Sequence, residues 1–173
     1  MRTLCSRTAR AGLLLAGLGG LLCAAPPRLG LTAGAAWPTG ATRDQVTGSA
    51  GYALGAFSDW EQAPGHTLRL ALDGSFHPRD SSGGKAQSQA LTLNYVFNPR
   101  ADLQGFSFVV GAGAMNVQRM VGDTLRGTGV KLAWNAGFGV DLSDRWGLLA
   151  RYHAVSSEGR DLGSVTAGLT YRF

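Results

Sequence analysis

Arg151-Tyr-His-Ala-Val-Ser156 is the stretch of this chain that comes nearest to a catalytic constellation, because it places a histidine three residues before a serine. A serine hydrolase needs its base within hydrogen-bond reach of the nucleophile. Side chains alternate between faces along an extended strand, so His153 and Ser156 fall on opposite sides and the pair is not assembled. The other histidines, His66 and His77, stand on separate segments and show no metal-ligand spacing, so no metal or cofactor is expected. Gly111-Ala-Gly113 and Gly137-Phe-Gly139 look like fragments of a phosphate loop, but neither opens a helix, and small wall residues are the better account. What remains is a set of polar residues that share one parity across several candidate strands: Arg69, Asp73, Lys131, Asp141, Arg151, His153 and Arg172. We identify no catalytic residues among them. If that parity faces inward, the charges must be paired or hydrated, and the reading is a lumenal network of ion pairs and water bridges. Inward glycines such as Gly111, Gly113, Gly137 and Gly139 would make room for the long arginines. A narrow ion-conducting gate is the functional alternative.

The elements that must position these residues are strands. Between 130 and 142, Val130, Leu132, Trp134, Ala136, Phe138, Val140 and Leu142 share one face, while Lys131, Asn135, Gly137, Gly139 and Asp141 share the other. Such alternation is the mark of a strand with two different environments. The C-terminus repeats it, with Val165, Ala167, Leu169, Tyr171 and Phe173 opposite Thr166, Gly168, Thr170 and Arg172. The same template predicts eight strands near 29–38, 48–58, 66–76, 88–97, 105–118, 129–142, 146–155 and 164–173. Runs of about ten residues match a tilted strand crossing a hydrocarbon layer and exceed the usual strand of a soluble sheet. Periodicity alone does not say which face is outside, since a soluble barrel shows it too.

Connections counted from the end alternate between long and short, with 39–47, 77–87, 119–128 and 156–163 on one side and 59–65, 98–104 and 143–145 on the other. Long loops outside and short turns in the periplasm are the scheme of an outer-membrane barrel. Trp60, Tyr95, Phe97, Phe106, Trp146 and Tyr171 then fall near the periplasmic strand ends, where aromatics anchor at the interface. The loop arginines Arg43, Arg79, Arg119, Arg126 and Arg160 could meet anionic lipopolysaccharide, although solvated loop charge is the simpler reading.

Length and composition agree. The 173 residues suit one domain, and 26 glycines with 16% charged residues favour an all-β chain. Residues 1–25 read as a secretory signal: Arg2, Arg7 and Arg10, an apolar run over 11–22, then Cys23-Ala24-Ala25. Pro26 makes the cleavage site irregular, and Leu22 before Cys23 argues against a lipoprotein. Removing the signal lowers the formal charge from +5 to 13 basic against 11 acidic side chains, which removes the case for nucleic acid as a partner. Both cysteines, Cys5 and Cys23, leave with it, so the barrel domain, 26–173, would carry no disulfide.

Gly168-Leu-Thr-Tyr-Arg-Phe173 and Ala136-Gly-Phe-Gly-Val-Asp-Leu-Ser-Asp-Arg-Trp-Gly147 with Leu149-Ala-Arg-Tyr152 resemble the last strand and the sixth strand, tight turn and seventh strand of the small OmpA/OmpX-like outer-membrane β-barrels. The resemblance covers the mature chain. It implies an all-β, eight-stranded antiparallel up-and-down transmembrane barrel in the outer membrane, in contact with outer-membrane lipid and lipopolysaccharide and monomeric. It also implies that Tyr171 and Phe173 form the signal read by the barrel-assembly machinery. An eight-stranded barrel is filled by its side chains, so no open pore is expected. The expected role is structural, in envelope integrity, or a surface interaction through the extracellular loops with a partner the sequence does not name. Two alternatives stand beside it. A soluble lipocalin-like barrel would line a cavity with the apolar face, but Trp37 follows Ala35-Ala36 and the Gly-x-Trp expected near the first strand is missing. A lipid A-modifying enzyme would need a histidine and a serine two positions apart on the lipid side, and position 155 is Val155.

Overall fold

In the computed structural model, residues 26–45, 50–78, 84–99, 105–121, 124–157 and 160–173 are described, and the signal segment 1–25 lies outside them. Eight strands form one closed antiparallel barrel in chain order: β1 Arg28–Thr39, β2 Gly51–Ala63, β3 His66–His77, β4 Lys85–Phe97, β5 Gly105–Val121, β6 Thr124–Asp141, β7 Trp146–Ser157 and β8 Arg160–Arg172. One short helix, α1, spans Gly40–Gln45 after β1. The sheet closes between β1 and β8, paired from Gly30↔Arg172 to Thr39↔Gly163. Closure leaves the wall of the barrel without a free edge, which a hydrocarbon environment requires because no water is present to satisfy backbone groups.

Every predicted strand is present, and most run further than the alternation does. The clearest departures are at the outer end. The segments predicted as loops 119–128 and 156–163 are largely strand, with only 122–123 and 158–159 between paired strands, and 39–47 contains α1. Above the hydrocarbon layer both faces of a hairpin meet water, so pairing continues while the apolar-out pattern ends. At the other end, 59–65 shrinks to Pro64-Gly65 because β2 extends to Ala63, and Gly65 takes the positive φ of 77° that the tight turn needs.

The apolar face is outside. Leu72, Leu93, Phe108 and Val110 are 55–58% exposed, whereas Arg69, Asn94 and Arg151 are 0–3% exposed. A monomer in water does not carry so continuous an apolar surface, whereas a membrane covers it. The lipocalin-like alternative needs Leu132 and Leu169 to line a cavity, and they are instead 82% and 49% exposed on the outer surface. Aromatics bound this apolar band. At the periplasmic end Trp146 meets Tyr171 at a tilt with ring centroids 4.8 Å apart; at the outer end Tyr52 stacks on Phe76 at 5.1 Å, and Trp134 meets Tyr152 edge-on at 5.2 Å. Along β3 the band runs from Leu68, paired with Trp60, to Phe76, paired with Tyr52. Those eight residue steps, at about 3.3 Å each and tilted by about 40°, give roughly 20 Å of height, close to the band of such barrels.

Candidate functional site: the polar lumen and its outer mouth

The cross-strand register sets one path along which the lumen is polar. Starting at Arg28, the cross-strand partners are Asp59, Arg69, Asn94, Gly111, Asn135, His153 and Ser164, and the path returns to β1 at Pro38. It comes back ten residues higher on β1, so one turn of a rising spiral carries six of the buried polar side chains. Asp59, Arg69, Asn94, Asn135, His153 and Ser164 are all buried.

At the foot of the spiral Arg69 donates from Nε and Nη2 to both oxygens of Asp59, at 2.6 and 2.8 Å. This fork-to-carboxylate geometry is the strongest form of the pair. Arg172 lies 2.9 Å from Asp141 and 3.7 Å from Asp59, so two arginines and two carboxylates close the periplasmic end. The Arg69 guanidinium also sits 4.1 Å from the centroid of Phe57, an aromatic turned inward. Gly30 makes that possible, since a Cβ there would meet the ring at 2.3 Å.

Higher in the lumen Arg151 donates from Nη2 to Asp73 across the barrel. A Cβ at Gly137 would lie 2.6 Å from Arg151 Cγ, so the glycine is what lets the arginine leave the wall. Gly111 plays the same part for Asn94, not for an arginine. The Nε and Nη1 of Arg151, Oδ2 of Asp73, Nε2 of His153 and the amide of Asn135 have no hydrogen-bond partner among the described residues. A cavity of about 20 Å³ lies between Asp73, Ser75, Ser88, Arg151, His153 and Thr166. That is room for one water with enough polar neighbours to hold it. A second space of about 10 Å³ continues toward Thr42 and His77.

The mouth is closed by α1. Ala41 packs on a buried cluster that includes Met115, Val117, Val155 and Leu162, Thr42 is buried, and Gly40 bridges to Leu162.

The structure thus brings together Arg172 with Asp141, and Arg151 with Asp73 beside His153, at two heights of the lumen. Lys131 is not with them. It shares the inward parity but is exposed on β6 where that strand rises past the last residue paired with β7. Asp59, which receives Arg69 and Arg172, escaped the sequence reading because the predicted strand ended at 58; its parity with Phe57 and Gly55 was the available signal. His153 is 4% exposed inside the lumen, away from lipid, which removes the geometry a lipid-facing hydrolase needs; the Ser156 side chain lies outside the described residues. Among the described residues no group of three His, Cys, Asp or Glu side chains could hold a metal ion.

The sequence matches the profile of the outer membrane protein beta-barrel domain over residues 13–173. The chain belongs to that family. It is an outer-membrane protein, and solved barrels of that membrane superpose on it. Ail, the attachment invasion locus protein of Yersinia pestis, aligns with a TM-score of 0.60 at 13% identity, over 85% of this chain and 97% of Ail. The N-terminal β-barrel domain of Pseudomonas aeruginosa OprF gives 0.56 at 13% identity over 87% and 99%. Neisserial surface protein A gives 0.55 at 14% identity over 87% and 99%. No curated protein matches in sequence. At these identities the superpositions speak for the fold, and the family is carried by the profile.

Proposed function

We propose that this family member is a non-enzymatic surface protein whose closed barrel anchors a projecting β-hairpin at the cell surface. One observation carries the reading: β6 pairs with β7 only from Ala133 to Asp141, while β5 and β6 stay paired up to Val121↔Thr124. Residues 124–132 of β6 therefore present a strand edge with no β7 partner among the described residues. The hairpin reaches ten residues beyond Trp134, about 30 Å of strand at about 3.3 Å per residue. An edge of this kind, with Val130 73% exposed and Lys131 beside it, suits capture of an extended polypeptide by strand addition. The barrel acts as a monomer among outer-membrane lipid and lipopolysaccharide, and its assembly is directed by Tyr171 and Phe173. Phe173 is 72% exposed at the periplasmic end and stands edge-on to Tyr171 at 5.3 Å, accessible to an assembly factor.

A structural role in the envelope is the second reading, favoured by the filled lumen. The two readings separate in cells lacking the native protein and complemented with the full chain or with a variant whose residues 119–129 are replaced by a two-residue turn. Selection of random displayed peptides on whole cells should enrich binders only on the full chain, while both forms restore detergent resistance equally. If the truncated barrel captures the same peptides, the surface reading falls.

A further inference from the structure

Outside the lumen, the lipid-facing wall is not uniformly convex. A groove of about 630 Å³ runs across β5 to β8, floored by Ala136 and Ala150 and walled by Phe106, Phe108, Phe138 and Tyr152. Its volume is in the range of sites that hold a small molecule. Register explains the shape. Ala136 pairs with Tyr152 and Phe138 pairs with Ala150, so a large and a small residue alternate across the β6–β7 ladder and leave a diagonal trough. The trough starts at Phe106, which pairs with Val140 near the periplasmic end of β6, and ends under Tyr152 at the outer aromatic girdle. Its surroundings in the membrane are hydrocarbon chains.

Directly below its periplasmic end lies the β6–β7 turn, Leu142 to Arg145. The turn is well defined: the N–H groups of Leu142 and Ser143 both donate to the Trp146 carbonyl, at 2.9 and 3.0 Å, and the Trp146 N–H donates to Ser143 Oγ at 3.1 Å. It presents Asp144 and Arg145 side by side, both exposed. The charged side chains at the adjoining ends of β6 and β8, Asp141 and Arg172, are turned inward and paired with each other. The turn therefore offers one cation and one anion at the level where lipid headgroups lie.

The geometry points to a binding site for one zwitterionic phospholipid of the periplasmic leaflet, with an acyl chain in the Ala136–Ala150 trough and an amino-alcohol phosphate headgroup on Arg145 and Asp144. Arg145 takes the phosphate and Asp144 the ammonium. An apolar chain alone would use only the trough, and an anionic lipid would meet Asp144 with the wrong sign. The site depends on membrane location but not on the surface-interaction reading.

The test is native mass spectrometry of the barrel released from nanodiscs containing equal amounts of phosphatidylethanolamine, phosphatidylglycerol and diacylglycerol. Wild type should retain one phosphatidylethanolamine through detergent exchange, at least tenfold above either other lipid. A150F, which fills the trough from the lipid side, should abolish retention, and A136F should do the same. Removing both charges in D144A/R145A should remove the preference among the three lipids. The heat-dependent gel shift of each variant shows that it folds. Retention unchanged in both A150F and A136F, equal retention of diacylglycerol, or a dimer that buries this face in place of lipid would each overturn the assignment.

Discussion

Arg69 depends on one carboxylate, whereas Arg172 shares two. Replacing Asp59 with alanine therefore strands a buried guanidinium that has no second carboxylate within ion-pair reach among the described residues. Breaking a buried pair from one side costs about 3–5 kcal/mol. Asp141→Ala leaves Arg172 with Asp59 and should cost clearly less. Urea unfolding in lipid vesicles, followed by the loss of the fast-migrating folded band, orders the two variants; equal midpoints would contradict the placing of Asp59 at the centre of the cluster. Gly137→Val tests the other ion pair. Its side chain would meet Arg151 Cγ at 2.6 Å and the Ala150 carbonyl at 2.2 Å, so Arg151 loses its path to Asp73 and the folded band should weaken or vanish. A fully folded, wild-type-stable Gly137→Val would show that the arginine has another route. These pairings were only partly legible in sequence. Parity put Arg69, Asp73, Asp141, Arg151 and Arg172 on one face, but which carboxylate meets which arginine depends on the stagger between strands, and Asp59 stood beyond the point where alternation was followed.

At the scale of elements, the same strand carries two regimes. Within the band, position decides cost: Leu72 lies midway between Leu68 and Phe76 on β3 and is 58% exposed to lipid. Leu72→Arg should destabilise the barrel by about 2–4 kcal/mol, the cost expected at the bilayer midplane. The same change at Gln87, on the outer face opposite the girdle residue Phe76 and bonded to Gln118 at 2.6 Å, should cost under about 1 kcal/mol, in line with values near the interface. Folding midpoints in vesicles compare them, and similar costs would mean that the band is misplaced. Above the band the β5–β6 hairpin bends at a bulge, where Thr128 and Gly129 stand opposite Val117 alone. Thr128 Oγ1 accepts from the Val117 N–H at 3.1 Å, and Gly129 has φ of +64° with open space around it. Gly129→Ala should cost about 1–2 kcal/mol through backbone strain alone. Proteolysis confined to the hairpin is the readout, since the barrel below should keep its gel shift. The alternation rule found the strands because one side meets lipid and the other a polar lumen. It stopped short at the outer ends, where that contrast disappears although the hydrogen bonding does not.

For the whole molecule, the lumen is closed three times over: by the Asp59–Arg69–Asp141–Arg172 cluster, by the Arg151–Asp73 pair, and by α1 with Ala41 on the upper apolar cluster. The lumenal spaces described, about 20 and 10 Å³, admit a water each at most. Purified barrel in a planar bilayer should accordingly give no steady conductance, and a stable open level in most insertions would contradict this packing. The unboiled protein should run ahead of the boiled form, as a closed sheet resists detergent until heated. Alternation, strand length and the aromatic C-terminus were enough to determine eight membrane-length strands and the two faces of each, because those features are local and repeat every second residue. Which face met lipid, the ten-residue stagger that winds six of the buried polar groups into one spiral, the pairing of each arginine, and the rise of β6 past β7 were decided only by closure. A strand can be recognised one at a time, but its offset against its neighbours is set when all eight must meet around a ring.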